Sequence, residues 1–186
     1  MATKLGICNS ALIKLGQEPI TDLADNNKRA KLVNDNYDRI KRKLLRRHNW
    51  NFAKKRVKLH ADSTTPLYGY AHQFTLPSDF IRMVEIDKPG YEHAIEGSKL
   101  LFQGSDVVLM VYIFDADEYL FDSLFEDLMA TSLADELCIA MTQSQNLRQE
   151  LRQELEYYLG ETRSMNAQTR GTPQDPESDD LLIARW

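Results

Sequence analysis

Apolar side chains recur every three to four residues at both ends of the chain and closer to every two in its middle. Leu5, Cys8, Leu12 and Leu15 make a narrow stripe that predicts a helix over 3–15, with Gly16 placed for a left-handed terminus. Ile20 and Leu23 fall in a short connection expected to cover the end of a bundle. Ala30, Val33, Tyr37, Ile40 and Leu44 predict a second helix over 27–48, with charged positions between them. Residues 53–114 then shift towards alternation, broken by Gly, Pro, Ser and Asp. Tyr68, Tyr70, His72, Phe74 and Leu76 read as one half-buried strand. Pro77-Ser78-Asp79 turns the chain into a strand over 80–86, and Lys88-Pro89-Gly90 turns it again. Segments 91–96 and 99–103 are expected to pair across Gly97-Ser98, ahead of the most apolar strand at 107–114.

Helical spacing returns near Asp122, with Leu124, Leu128, Leu133, Leu137 and Met141 apolar. Ala130, Ala134 and Ala140 are small enough to let another helix approach. Ser144 is positioned to cap a fourth helix carrying Leu147, Leu151, Leu155 and Leu159. From about Met165 the chain is polar and rich in Pro and Asp until the apolar hexapeptide LLIARW. The expected architecture is α+β: a mostly α-helical four-helix bundle (1–52 and 117–165), an inserted small antiparallel β-sheet domain (53–116), and an extended C-terminal arm (166–186). The arm's apolar tip, Leu181, Leu182, Ile183 and Trp186, is expected either to dock back on its own bundle or, since the preceding linker spans on the order of 40 Å if extended, to act as a latch on a neighbouring subunit or partner.

Composition fits one globular domain: 186 residues, 42% apolar and 27% charged. No run reaches the roughly 18 apolar residues of a membrane span. The N-terminal stripe is interrupted by Asn9, Ser10 and Lys14, and so reads as a mature helix rather than a signal peptide. Cys8 and Cys138 each lie on the apolar side of a helix, as reduced core cysteines of a protein folded in the cytosol do.

Charge changes the picture most. Between Lys41 and Lys58 there are nine Lys or Arg and no acid, against a chain total of −5. Such segregation points to an acidic partner, which another copy of the chain can supply. Trp50 and Phe52, at the break after His48-Asn49, are expected to anchor the helical and sheet layers together. Aromatic residues beside cations also fit a nucleic-acid site over 41–58, but a pI of about 5.4 opposes binding a polyanion. Motifs for catalysis are lacking: there is no phosphate-binding glycine loop, HExxH, CxxC or GxSxG. His48, His60, His72 and His93 are scattered without supporting ligands, and the many carboxylate pairs, Glu126/Asp127 among them, single out none for glycoside hydrolysis. The reading is a non-enzymatic chain that needs no cofactor or metal.

Four segments, in order, carry a resemblance: ICNSALIKLGQEPITDLAD (7–25), LLRRHNWNFAKKRVKL (44–59), FTLPSDFIRMVEI (74–86) and FDSLFEDLMATSLADELCIAMTQS (121–144). Over roughly 6–165 the chain resembles the tail tubular protein A family, the head-to-tail adaptors (connectors) of short-tailed bacteriophages. Its most specific pieces are Ile7-Cys8-Asn9 with Ala11-Leu12 and Leu15-Gly16, Trp50-Asn51-Phe52-Ala53, and Leu76-Pro77-Ser78-Asp79. The resemblance implies a structural virion protein at the head–tail junction, assembled in the host cytoplasm. It would form a homo-oligomeric ring, typically a dodecamer of twelve copies, between the portal protein and the tail nozzle (tail tubular protein B). DNA would pass through its channel without sequence-specific binding. Arg42, Arg46, Arg47, Lys54 and Lys55 are then expected at subunit or portal contacts. The alternatives are a DNA-binding module and a tail-associated peptidoglycan hydrolase.

Overall fold

The computed structural model describes residues 2–168, with side chains through 164. In chain order the elements are α1 (Lys4–Lys14), α2 (Lys28–Arg47), β1 (Lys54–His60), β2 (His72–Thr75), β3 (Phe80–Ile86), β4 (His93–Glu96), β5 (Lys99–Phe102), β6 (Val107–Phe114), α3 (Ser123–Thr142) and α4 (Gln145–Gln168). A short polar side chain caps the start of each of the four α-helices. The hydroxyl of Thr3 accepts from Gly6 N at 3.1 Å, and Asn27 Oδ1 accepts from Ala30 N at 2.8 Å. Asp122 Oδ1 accepts from Phe125 N at 2.7 Å, and Ser144 Oγ from Leu147 N at 3.2 Å. Each cap satisfies an amide that the helix itself leaves unpaired, contributing about 1 kcal/mol.

α3 is the hub of the helical part. It buries Phe125, Leu128, Met129, Thr131, Leu133, Leu137 and Cys138 around most of its circumference, and α1, α2 and α4 each pack on it. Ala130 and Ala134 lie buried in those contacts, whereas Ala140 is exposed. The connection after α1 is pinned from inside that helix. Asn9 donates to Ile20 O at 3.0 Å and accepts from Ile20 N at 2.8 Å, holding Ile20 in the core.

The expected four-helix bundle with one inserted sheet is corrected here. The molecule is α+β, but its strands form two antiparallel three-stranded sheets, ordered β1-β6-β3 and β2-β5-β4. The chain crosses from one sheet to the other at each loop between strands except the β4–β5 turn, where Gly97 takes φ +56°. Alternation marks which residues of a strand share a face and not which strand lies beside it, so six strands read equally well as one sheet. Two further differences follow from tertiary placement. Lys54–His60 is a strand, carried by Val57 and Leu59 against Met110 and Val108. The strand expected from Tyr68 begins only at His72, because 61–71 is a loop whose tip leaves Leu67 100% and Tyr68 88% exposed.

Leu59, Ile86, Val108 and Met110 of the first sheet join Phe74, Leu100 and Phe102 of the second in one core, continuous with the helical core. Cys8 and Cys138 are buried there as free thiols, and burial pushes the Cys8 thiol up to about 11.

Candidate assembly surface

The basic stretch begins inside the protein. Lys41 is only 8% exposed, and its ammonium lies 2.9 Å from Asp115 Oδ1, 3.2 Å from Ala116 O and 3.7 Å from Glu118. Arg42 Nε holds the other oxygen of Asp115 at 3.1 Å. Two consecutive cations of α2 thus grip the carboxylate that follows β6. Arg46 donates to Ile81 O on β3 at 3.2 Å. Arg47 turns the other way, 3.8 Å from Glu156 of α4, beside a groove of about 300 Å³ between α2, α3 and α4.

Past the break the chain dives inward. The Trp50 indole N–H donates to Leu44 O at 2.8 Å, satisfying one of the carbonyls that the end of α2 leaves unpaired. Trp50 is 1% exposed and meets Phe125 edge-on at 5.0 Å between ring centroids. Phe52 packs at 4.9 Å from Phe125 and 5.6 Å from Phe121. This aromatic cluster joins the end of α2, the start of α3 and the approach to β1. Its rings face one another, so Trp50 offers no free face on which a base could stack.

On β1, Lys54 donates to Asn51 Oδ1 at 2.7 Å. Lys55 pairs with Asp79 at 2.7 Å and sits 3.8 Å over the Phe114 ring. The Tyr112 hydroxyl donates to the second Asp79 oxygen at 3.0 Å. Burial works to raise Asp79, but the bonds from Lys55 and Tyr112 outweigh it and leave this carboxyl below its ordinary range. Burial, with Asp79 beside it, pushes the Tyr112 phenol up to about 12.

Three of the five expected contact residues therefore meet around one segment. Arg42 reaches Asp115, Asp115 N donates to Asp79 O at 2.8 Å, Asp79 holds Lys55, and Arg46 binds two residues along at Ile81. Arg47 and Lys54 lie apart from this group, toward α4 and Asn51. Sequence reading missed the partners Asp79, Asp115, Glu118 and Glu156. Of these only Asp79 carried a signal, as part of Leu76-Pro77-Ser78-Asp79. Among the described residues, Arg56 and Lys58 at the end of the run are exposed and make no ion pair.

Leu181, Leu182, Ile183 and Trp186 lie outside the described residues. Among the described residues, no three His, Cys, Asp or Glu side chains gather as a metal site, and no helix is long and apolar enough to cross a membrane. No family model matches the chain, and no curated protein matches it.

Proposed function

We propose that this protein is a head-to-tail adaptor of the tail tubular protein A type, a structural ring subunit between a portal and a tail nozzle. The observation that carries the reading is the ordered set of four segments similar to that family, spread over nearly all of the described chain. The geometry supports it at one point. Trp50-Asn51-Phe52-Ala53 and Leu76-Pro77-Ser78-Asp79 flank the same helix–sheet junction, where Arg42, Arg46 and Lys55 converge. A ring joins two different faces of one chain, and a cationic junction on an otherwise acidic protein supplies one of the two. No catalysis enters this reading, and passing DNA is carried without being read.

The test mixes the purified full-length chain with a portal ring and measures native mass and symmetry. A stoichiometric ring on the portal is the expected outcome. Arg42 and Arg46 also make exposed bonds within the chain, so the informative variant neutralises rather than reverses charge: Arg42→Gln with Arg46→Gln and Arg47→Gln should stay folded by circular dichroism and fail to form the ring. Absence of portal binding together with salt-dependent duplex binding would overturn the proposal in favour of a nucleic-acid module.

A further inference from the structure

The outer face of the first sheet is laid out in rows. Residues in register across β1, β6 and β3 project from the same face. Arg56 is opposite Val111, which is opposite Glu85. In the next row of that face, Lys58 is opposite Leu109. Asp87 completes this row, donating its amide to Leu109 O at 3.0 Å and accepting Leu109 N on its carboxylate at 3.1 Å. Each row reads cation, aliphatic, anion.

All four charged residues are exposed, Leu109 is 50% exposed, and the face forms a shallow groove of about 320 Å³. β1 and β3 are separated by a full strand, about 9–10 Å, and the cations and anions of a row stand on opposite edges of the face. Among the described residues Arg56, Lys58 and Glu85 have no ion-pair partner. A polyanion is a poor occupant, because Glu85 and Asp87 are two of the four charged residues that line the groove.

We propose that this face seats the same face of a second copy, about a two-fold axis parallel to β6. That rotation lays β1 of each copy over β3 of the other. Arg56 then meets Glu85 and Lys58 meets Asp87, each twice, while Leu109 and Val111 cover their own counterparts. A two-fold across the strands would set cation over cation and anion over anion. The order of charge therefore selects one isologous arrangement, which closes after two copies. Stacked sheets lie about 10 Å apart, a gap that Arg and Lys side chains span. The contact belongs to the free chain and does not rest on the ring reading.

The experiment is sedimentation equilibrium of the full-length chain over a range of concentrations. The unaltered protein should dimerise. Arg56→Glu and Glu85→Arg, each alone, should weaken dimerisation by about ten-fold or more with unchanged circular dichroism and melting temperature. An equal mixture of these two variants should regain the original affinity, because each repels itself and complements the other. Lys58→Glu gives the same loss from the second row. A chain that stays monomeric at every concentration, a dimer indifferent to all three reversals, or a mixture as weak as its components would each overturn the proposal.

Discussion

The two ends of one basic run behave as different materials. From Lys41 to Lys55 the fold brings Asp115, Glu118, Glu156 and Asp79 to the cations, and an aromatic cluster seals the junction between them. From Arg56 to Lys58 the same residue types stand beside an aliphatic strip, with Glu85 and Asp87 of the same sheet on its other side. A run of charge is thus not one feature. Whether it builds the fold or faces outward depends on whether a carboxylate from elsewhere arrives within ion-pair distance.

The sharpest way to break the inner end is Trp50→Ala. It empties a fully buried site and frees Leu44 O, and should cost about 3–5 kcal/mol of unfolding free energy, read from denaturant titration. Lys41→Met should cost somewhat less, about 2–3 kcal/mol, because Asp115 and Glu118 would keep their charges without the buried ammonium between them. Should Lys41→Met prove neutral, the claim that the cation is structural fails.

Asp79 provides a pH signature. Its folded carboxyl titrates below the ordinary range, so its contribution is complete above the unfolded value, near 3.8, and is lost as pH falls through the lower folded value. Asp79→Asn should lower stability at neutral pH by up to about 1 kcal/mol and flatten its decline at acid pH. An acid limb of the same slope in both proteins would show that this carboxyl is not coupled to folding. At the outer end, Arg56→Gln with Lys58→Gln should change monomer stability by no more than about 0.5 kcal/mol. A larger loss would erase the contrast between the two ends.

Much of this was written in local pattern. Helix limits followed from spacing and caps, as with Gly16 at φ +65° and Ser144 ahead of α4. Pairing across Gly97-Ser98 and the strand over 80–86 followed from turns and alternation. The loop around Leu67 and Tyr68 was misread because an exposed tip and a half-buried strand can share the same alternation.

By itself, then, the sequence determined the helices, most of the strands, the aromatic break at Trp50 and the concentration of cations beside it. These depend on neighbours within a few residues, where propensity, capping and periodicity act. Only the tertiary structure decided that six strands divide into two sheets and that Lys41 is buried against Asp115, 74 residues away. It alone aligned Arg56, Val111 and Glu85 across three strands. The physical reason is that strand pairing and ion pairing join groups far apart in the chain. Their partners are chosen by how the whole core closes, and no local period records that choice.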